Sequence, residues 1–252
     1  MKLIFTNNNK EFFLTTEIIL IGLIIFLASF NQGLTGFGFA ITSVPLLSII
    51  IGVKEAVPLA AICGLVVNIY LTIQLREHIY FSDIKYLLFS SIIGIPIGVY
   101  FLSEADPVLI EKILAVIVLL FVFLNVSRII KPSGVKNSWG LFYGFIAGIM
   151  GGAFNTNGPP ILIYLFLKNW GKYKQKAVIT GYFMFTSVLI VAFQAIGGVT
   201  TQDVLIKTVY AFPFLLAGLL IGTKIFVRVS PTAYHKIILL FLGLMAVVLL
   251  VQ

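Results

Sequence analysis

Two short stretches of the sequence combine glycine, proline and uncharged polar side chains within an apolar background. The first runs from Asn31 to Pro45 and the second from Gly148 to Pro160. Glycine permits a positive φ and a close backbone approach, and proline removes a backbone donor, so each stretch is expected to break a helix. The first N–H groups after such a break have no intrahelical partner and can bind an anion. The pattern therefore predicts an anion site built from backbone N–H groups, amides and hydroxyls.

The candidate substrate-binding residues all belong to these two stretches. They are Asn31, Gln32, Thr35, Gly36, Gly38, Thr42 and Pro45 in the first, and Gly151, Gly152, Asn155, Thr156, Asn157, Gly158 and Pro159 in the second. A second interpretation is that some of their amides and hydroxyls only cap the broken helices, because buried polar groups need partners. For glycines elsewhere, such as Gly94 and Gly218, close packing of helices is a sufficient explanation.

The positions of the acidic residues favour an anion over a cation. All nine lie in predicted loops or at predicted helix ends, so the apolar segments carry no carboxylate for a cation or a proton relay. The motifs Gly-x-Ser-x-Gly and His-Glu-x-x-His are absent, and Cys63 is the single cysteine. We therefore predict a protein that is not an enzyme, with no catalytic residues, no metal site and no cofactor.

The elements that position these residues are predicted to be membrane helices. Only 10% of the 252 residues are charged and 60% are hydrophobic, whereas a soluble domain carries about 25% charged residues. Several apolar runs approach the ~20 residues that cross a bilayer as a helix. This composition predicts an all-α, multi-pass protein of the cell (cytoplasmic) membrane, with the lipid bilayer as a partner. The net charge of +8 comes from short basic loops, so no nucleic-acid partner is expected.

The chain repeats itself. Residues 33–39 read against 148–154, residues 54–57 against 175–178, and Gly94…Gly98 against Gly218…Gly222, in the same order. Duplication is the simplest explanation, and paired breaks in two halves are typical of secondary transporters. The predicted boundaries are a polar segment at 1–15, repeat 1 at 16–130 (hairpin 18–52, helices 56–75, 84–103 and 108–128), a cytoplasmic linker at 131–137, and repeat 2 at 138–252 (hairpin 138–168, helices 176–196, 204–226 and 232–251).

The basic residues predict the orientation of the repeats. If each glycine-rich stretch is a broken or re-entrant hairpin, the loops at 76–85, 128–137, 168–176 and 224–236 share one side. These loops hold 12 of the 17 basic residues, and the positive-inside rule places them in the cytoplasm. The two repeats would then have inverted orientations, each with a hairpin followed by three spanning helices.

The motifs resemble those of the sulfite exporter TauE/SafE family. The similarity lies in Gly-Leu-Thr-Gly-Phe-Gly-Phe-Ala at 33–40, Val-Pro-Leu-Leu at 44–47, and Asn157-Gly158-Pro159-Pro160 in the second half. It extends from about residue 16 to residue 251 and includes the Arg76-Glu77-His78 loop. The family's second motif usually carries more glycine where this chain has Asn155-Thr156-Asn157. The resemblance implies transport of small sulfur-containing anions of the sulfite, sulfonate or sulfoacetate class.

Four functional hypotheses follow from the sequence, and the last of them is a membrane scaffold that transports nothing. The first is a secondary transporter of a small anionic substrate that works by alternating access, with or without a coupling ion. The second is a passive anion channel, although a pore would favour rings of basic residues. A membrane-embedded enzyme is the third, because no nucleophile–base or metal set stands out. The oligomeric state is left open.

Overall fold

The computed structural model describes residues 2–79, 81–127, 134–168 and 172–225. The predicted helix 232–251 lies outside these ranges. All the elements within them are helical: α1 Lys2–Thr35, α2 Phe39–Ile51, α3 Val53–Leu75, a 3₁₀ turn Arg76–His78, α4 Phe81–Glu104, α5 Pro107–Ser127, α6 Trp139–Phe154, α7 Gly158–Leu167, α8 Lys172–Ile196 and α9 Gln202–Ile225. Within this part of the chain, five helices contain apolar stretches long enough to cross a membrane. The prediction of an all-α, multi-pass membrane protein is confirmed.

Two breaks divide helices at the predicted stretches. The first covers 36–38, where Gly36 and Gly38 have φ values of 83° and 96°. The second covers 155–157, where Asn155 has a φ of 52° and is the one non-glycine residue with positive φ in the described chain. Asparagine tolerates this left-handed conformation better than most residues. Both breaks therefore follow from residues that can leave the right-handed helical region at low cost.

The breaks are shorter than the sequence stretches suggested. Pro45 lies inside α2, which continues past it, as membrane helices allow when neighbours and local adjustments satisfy the freed carbonyl. Gly151 and Gly152 lie inside α6, four and three residues before the break. The repeat alignment paired Gly36 with Gly151, but the second break comes about one helical turn later. Glycine by itself does not end a helix that is packed on both sides.

Each broken helix pair is a hairpin that returns to the side where it began. At the first hairpin, Lys207 Nζ on α9 lies 3.1 Å from a carboxylate oxygen of Glu17 in α1 and 2.6 Å from one of Glu55 at the start of α3. The start of the apolar part of α1 and the end of α2 are therefore at the same level. At the second hairpin, Gly134 N donates to Leu167 O (2.8 Å), which joins the segment before α6 to the end of α7.

Glycines bring the helices into two close parallel pairs. A Cβ on Gly218 or Gly222 of α9 would overlap the backbone of Phe26 or Phe30 in α1. In the same way, Gly94 and Gly98 of α4 face carbonyl groups of α6. Residue numbers rise together along both pairs, so α1 is parallel to α9 and α4 is parallel to α6. This close backbone approach requires glycine at the contact points.

The two hairpins run in opposite directions. Lys54 Nζ at the start of α3 donates to Ser103 O near the end of α4 (2.9 Å), so α4 ends on the side where α1 starts. Because α6 is parallel to α4, it begins on the side opposite to the start of α1. The hairpin of α1 and α2 and the hairpin of α6 and α7 thus enter the bundle from opposite ends.

The helices form two packing units that do not follow the order of the sequence. One apolar cluster takes most of its side chains from α1, α2, α3, α5 and α9, and we call these helices the α1 unit. A second cluster takes its side chains from α4, α6, α7 and α8, which we call the α6 unit. Helix α4 therefore packs with the second hairpin and α9 with the first. The two units meet where α3 packs against α8.

Candidate functional site

Both breaks line one cavity between the two units. Its walls include Gln32 and Gly38 of the first stretch and Asn155, Asn157 and Gly158 of the second. The volume of the cavity is about 40 Å³, which is enough for about three water molecules at roughly 10–15 Å³ each. The walls also include residues halfway along α3 and α8, so the cavity lies deep in the bundle. The two breaks therefore approach each other in the interior of the bundle.

The first wall is the N-terminal end of α2. The first hydrogen bond of this helix runs from Thr42 N to Gly38 O (3.1 Å), so the N–H groups of Phe39, Ala40 and Ile41 have no intrahelical acceptor. These three residues all line the cavity. The positive end of the α2 dipole adds to these donors. This end of the cavity therefore presents partial positive charge without a cationic side chain.

Asn31 holds the first break in shape. Its Nδ2 donates to Thr42 Oγ1 (2.9 Å) and to Gly38 O (3.3 Å), which spans the break from α1 to α2. The Asn31 side chain is buried at 4% exposure and lies outside the cavity lining. The structure thus gives Asn31 and Thr42 the bracing role that the second sequence interpretation described.

Gln32 and Asn157 each join a break by a hydrogen bond to the helix that we call the central helix of the same unit, which is α3 in the α1 unit and α8 in the α6 unit. Gln32 Nε2 donates to Asn68 Oδ1 on α3 (2.6 Å), and Asn157 Nδ2 donates to Thr186 Oγ1 on α8 (3.0 Å). Gln32, Asn68 and Asn157 also line the cavity. Since each amide nitrogen has two hydrogens, these bonds leave one N–H on each donor for a ligand.

Asn155 presents its side chain to the opposite unit. Its backbone N–H is bonded to Gly151 O (2.8 Å), whereas its amide group has no hydrogen-bond partner among the described residues. Its Nδ2 lies 3.7 Å from the position that a Cβ on Gly64 would occupy. The backbone of Asn155 thus ends α6 in the left-handed conformation that is common after helices, and its side chain forms part of the cavity wall.

The second wall also contains the start of α7. Pro159 and Pro160 follow Gly158 at this end and lack N–H groups, so they suit a first helical turn. Gly158 supplies the one N–H among these three residues, and it lines the cavity beside Thr156. Thr156 Oγ1 donates to Phe154 O (2.9 Å). The α7 end therefore offers fewer backbone donors than the α2 end, and the amides of the second break supplement them.

The remaining predicted residues lie outside the cavity lining. They are Gly36 in the first break, Pro45 inside α2, Gly151 and Gly152 inside α6, and Pro159 in the first turn of α7. Gly151 allows α6 to approach Asn157 and Ile190, and Gly152 faces the backbone of α4. For Thr35 the structure describes the backbone position at the end of α1 and not the side chain.

Several wall residues were missed by the sequence analysis. They are Gly64 and Asn68 on α3 and Phe183, Ser187 and Ile190 on α8, together with Phe37, Phe39, Ala40 and Ile41. Asn68 had a usable signal, because it is an amide in an otherwise apolar stretch of α3. The apolar residues had none, since a cavity-facing Phe or Ile looks like any core residue. The lining residues described here include no Asp, Glu, Lys, Arg or His.

The fold and the cavity define a multi-pass helical membrane protein with an uncharged cavity, lined by polar and apolar residues, between two broken hairpins, an arrangement typical of secondary transporters. The chain belongs to the sulfite exporter TauE/SafE family, whose family model matches residues 21–249. This match covers nearly the whole chain and makes the protein a membrane transport protein. No curated protein and no solved structure matches the chain.

Proposed function

We propose that this protein carries a small sulfur-containing anion, of the sulfite, sulfonate or sulfoacetate class, across the cytoplasmic membrane by alternating access. The observation that carries the proposal is the shared cavity of the two breaks. An anion there would meet the unpaired N–H groups of α2, the Gly158 N–H and the amide of Asn155. The candidate substrate-binding residues in the cavity are therefore Gln32, Gly38, Asn155, Thr156, Asn157 and Gly158.

The electrostatics of the cavity support an anionic substrate. Helix N-termini carry about half a positive charge each, and the ends of α2 and α7 both face the cavity. A cation would favour carboxylates, which the lining lacks. Using backbone donors also avoids the cost of burying a Lys or Arg in the membrane. An anion can then enter and leave without breaking a salt bridge to a fixed cation.

The size of the cavity supports a small substrate. Room for about three water molecules suits an anion with one central atom and a short substituent. The mixed lining also suits a sulfur oxyanion with an organic group, because Phe183 and Ile190 are apolar while Asn155 and Asn157 are polar. Binding sites commonly combine apolar walls with a few placed polar groups.

The two packing units support alternating access. Each break is tied to the central helix of its own unit by a side-chain hydrogen bond, so each hairpin can move with its unit. The cavity lies between the units, and the opposite directions of α1 and α6 fit an inverted repeat. We propose that the α1 unit rocks against the α6 unit at the α3–α8 contact, opening the cavity to each side in turn.

A liposome experiment tests this function. Purified protein reconstituted in vesicles should move labelled sulfite or a sulfonate with a rate that saturates with substrate concentration, and a second sulfur anion should compete. Protein-free vesicles provide the control. A rate that rises linearly without saturation would favour the passive channel, and absence of sulfur-anion flux under an imposed pH or sodium gradient would contradict the proposal.

A further inference from the structure

Gly64 lies halfway along α3 on the cavity wall that faces the second break. It is the single glycine of this 23-residue helix. A Cβ at this position would lie 3.5 Å from Phe39 Cδ1 and 3.7 Å from Asn155 Nδ2. Both distances are ordinary van der Waals contacts. Helix packing therefore does not require glycine here.

This situation differs from that of the glycines at the close helix contacts. At Gly94, Gly148 and Gly218 a Cβ would overlap the backbone of a neighbouring helix, so those glycines are explained by close packing. A glycine inside a helix lowers the stability of that helix relative to alanine. At Gly64 no packing gain offsets this loss, and the visible consequence of the missing side chain is space beside Asn155.

We propose that Gly64 is a specificity-determining residue whose missing side chain sets the largest anion that the cavity accepts. The inference rests on the function proposed above. A methyl group at Gly64 would enter a space of about 40 Å³, next to the amide that we assign to the anion. An anion with an organic substituent needs more of this space than an inorganic one, so the methyl group discriminates between them.

The size of the effect follows from steric selection in tight sites. One methylene group more or less in a pocket changes relative specificity by about 10- to 200-fold. In Gly64→Ala the affinity for methanesulfonate relative to sulfite should therefore fall about tenfold or more. The thermal stability of the variant should be equal or higher, because alanine is the better helix former. A residue with a purely structural role would change stability and leave the ratio of affinities unchanged.

The experiment measures binding of sulfite and methanesulfonate to purified protein by calorimetry, with liposome uptake of both anions as a second readout. Cys63→Ala is the matched control, since Cys63 is the buried neighbour of Gly64 on α3 and lies outside the described cavity lining. It should leave the ratio unchanged. Adding Phe183→Leu to Gly64→Ala returns space at another wall of the cavity and should recover part of the methanesulfonate affinity.

The outcomes separate this inference from the proposed function. If Gly64→Ala still transports sulfite with the wild-type ratio of affinities, the inference is wrong and the proposed function stands. If the wild type binds sulfite but not methanesulfonate, Gly64→Ala must lower the affinity for sulfite by about tenfold. An unchanged sulfite affinity would then overturn the inference. If wild-type vesicles move no sulfur anion, both proposals fall.

Discussion

Gln32 of α1 donates a 2.6 Å hydrogen bond through Nε2 to Asn68 Oδ1 of α3, and the exposure of the two residues is 3% and 8%. The bond fixes the last turn of α1 against the central helix at the edge of the cavity. Both residues also line that cavity. The same pair thus positions the first break and contributes polar surface to the candidate site.

Asn68→Leu should lower both stability and transport. It leaves the buried Gln32 amide without its acceptor, which costs about 1–3 kcal/mol. Thermal unfolding in detergent measures the first effect and vesicle uptake the second. The double variant Gln32→Leu with Asn68→Leu should recover stability but not transport, because it removes the unpaired group together with the polar wall. Full recovery of transport would assign the pair to structure alone.

Asn155→Gly should reduce substrate affinity while keeping the fold. Glycine adopts the left-handed conformation of residue 155 without strain, so the variant removes the amide and little else. A lost charge-assisted hydrogen bond is worth about 1.5–3 kcal/mol, or roughly 10- to 150-fold in affinity. Calorimetric titration with sulfite measures this loss of affinity. Asn155→Ala adds backbone strain, so it should bind as weakly as Asn155→Gly and unfold at a lower temperature. Wild-type affinity in Asn155→Gly would remove this residue from the site.

Gly98→Ala should destabilise the protein before it affects binding. A Cβ there would overlap Ile149 O and lie 2.8 Å from Ala153 N in α6, which forces α4 and α6 apart. Overpacking of this kind costs about 1–3 kcal/mol. Gly64→Ala is the matched comparison, because the same substitution there meets only van der Waals contacts. Equal melting temperatures for the two variants would contradict the packing role of Gly98.

Lys207→Met should loosen the first hairpin at its open end. Lys207 contacts both Glu17 and Glu55, and its removal leaves two carboxylates facing each other. Because all three side chains are partly exposed, the free energy of unfolding should fall only modestly, by about 1 kcal/mol. Adding Glu17→Gln should restore part of it by removing the repulsion. The melting temperatures of the single and double variants at low salt measure this, and an additive double variant would exclude the coupling.

Cysteine labelling tests the orientation. In a Cys63→Ala background, Lys136→Cys should react with a membrane-impermeant thiol reagent only from the cytoplasm, and Thr201→Cys only from outside. Lys136 and Thr201 are both exposed. We expect this result because the loops on the side of Lys136 hold most of the basic residues, and the positive-inside rule places such loops in the cytoplasm. Labelling of both positions from one side of intact cells would contradict the inverted-repeat arrangement.

The sequence by itself determined the class of the protein and the two stretches within which its helices break. A low fraction of charge and continuous apolar runs of about 20 residues require membrane-spanning helices, since a run of that length crosses the bilayer as a helix with all its backbone hydrogen bonds made internally. Gly36, Gly38 and Asn155 are residues that adopt a positive φ at low cost, and they follow the ends of α1 and α6. These are local properties of the chain, so the sequence carries them.

Only the tertiary structure decided which residues share the cavity and which helices move together. Gly36 and Gly38 look alike in the sequence, yet only Gly38 lines the cavity. Gly64 and Gly94 are both helical glycines, but one borders a space and the other a backbone carbonyl. Helix α4 packs with the second hairpin and α9 with the first, and the hydrophobic periodicity of the sequence does not indicate this pairing. These features depend on contacts between residues far apart in the chain, and the local pattern of apolar and small residues is the same whichever partner they meet.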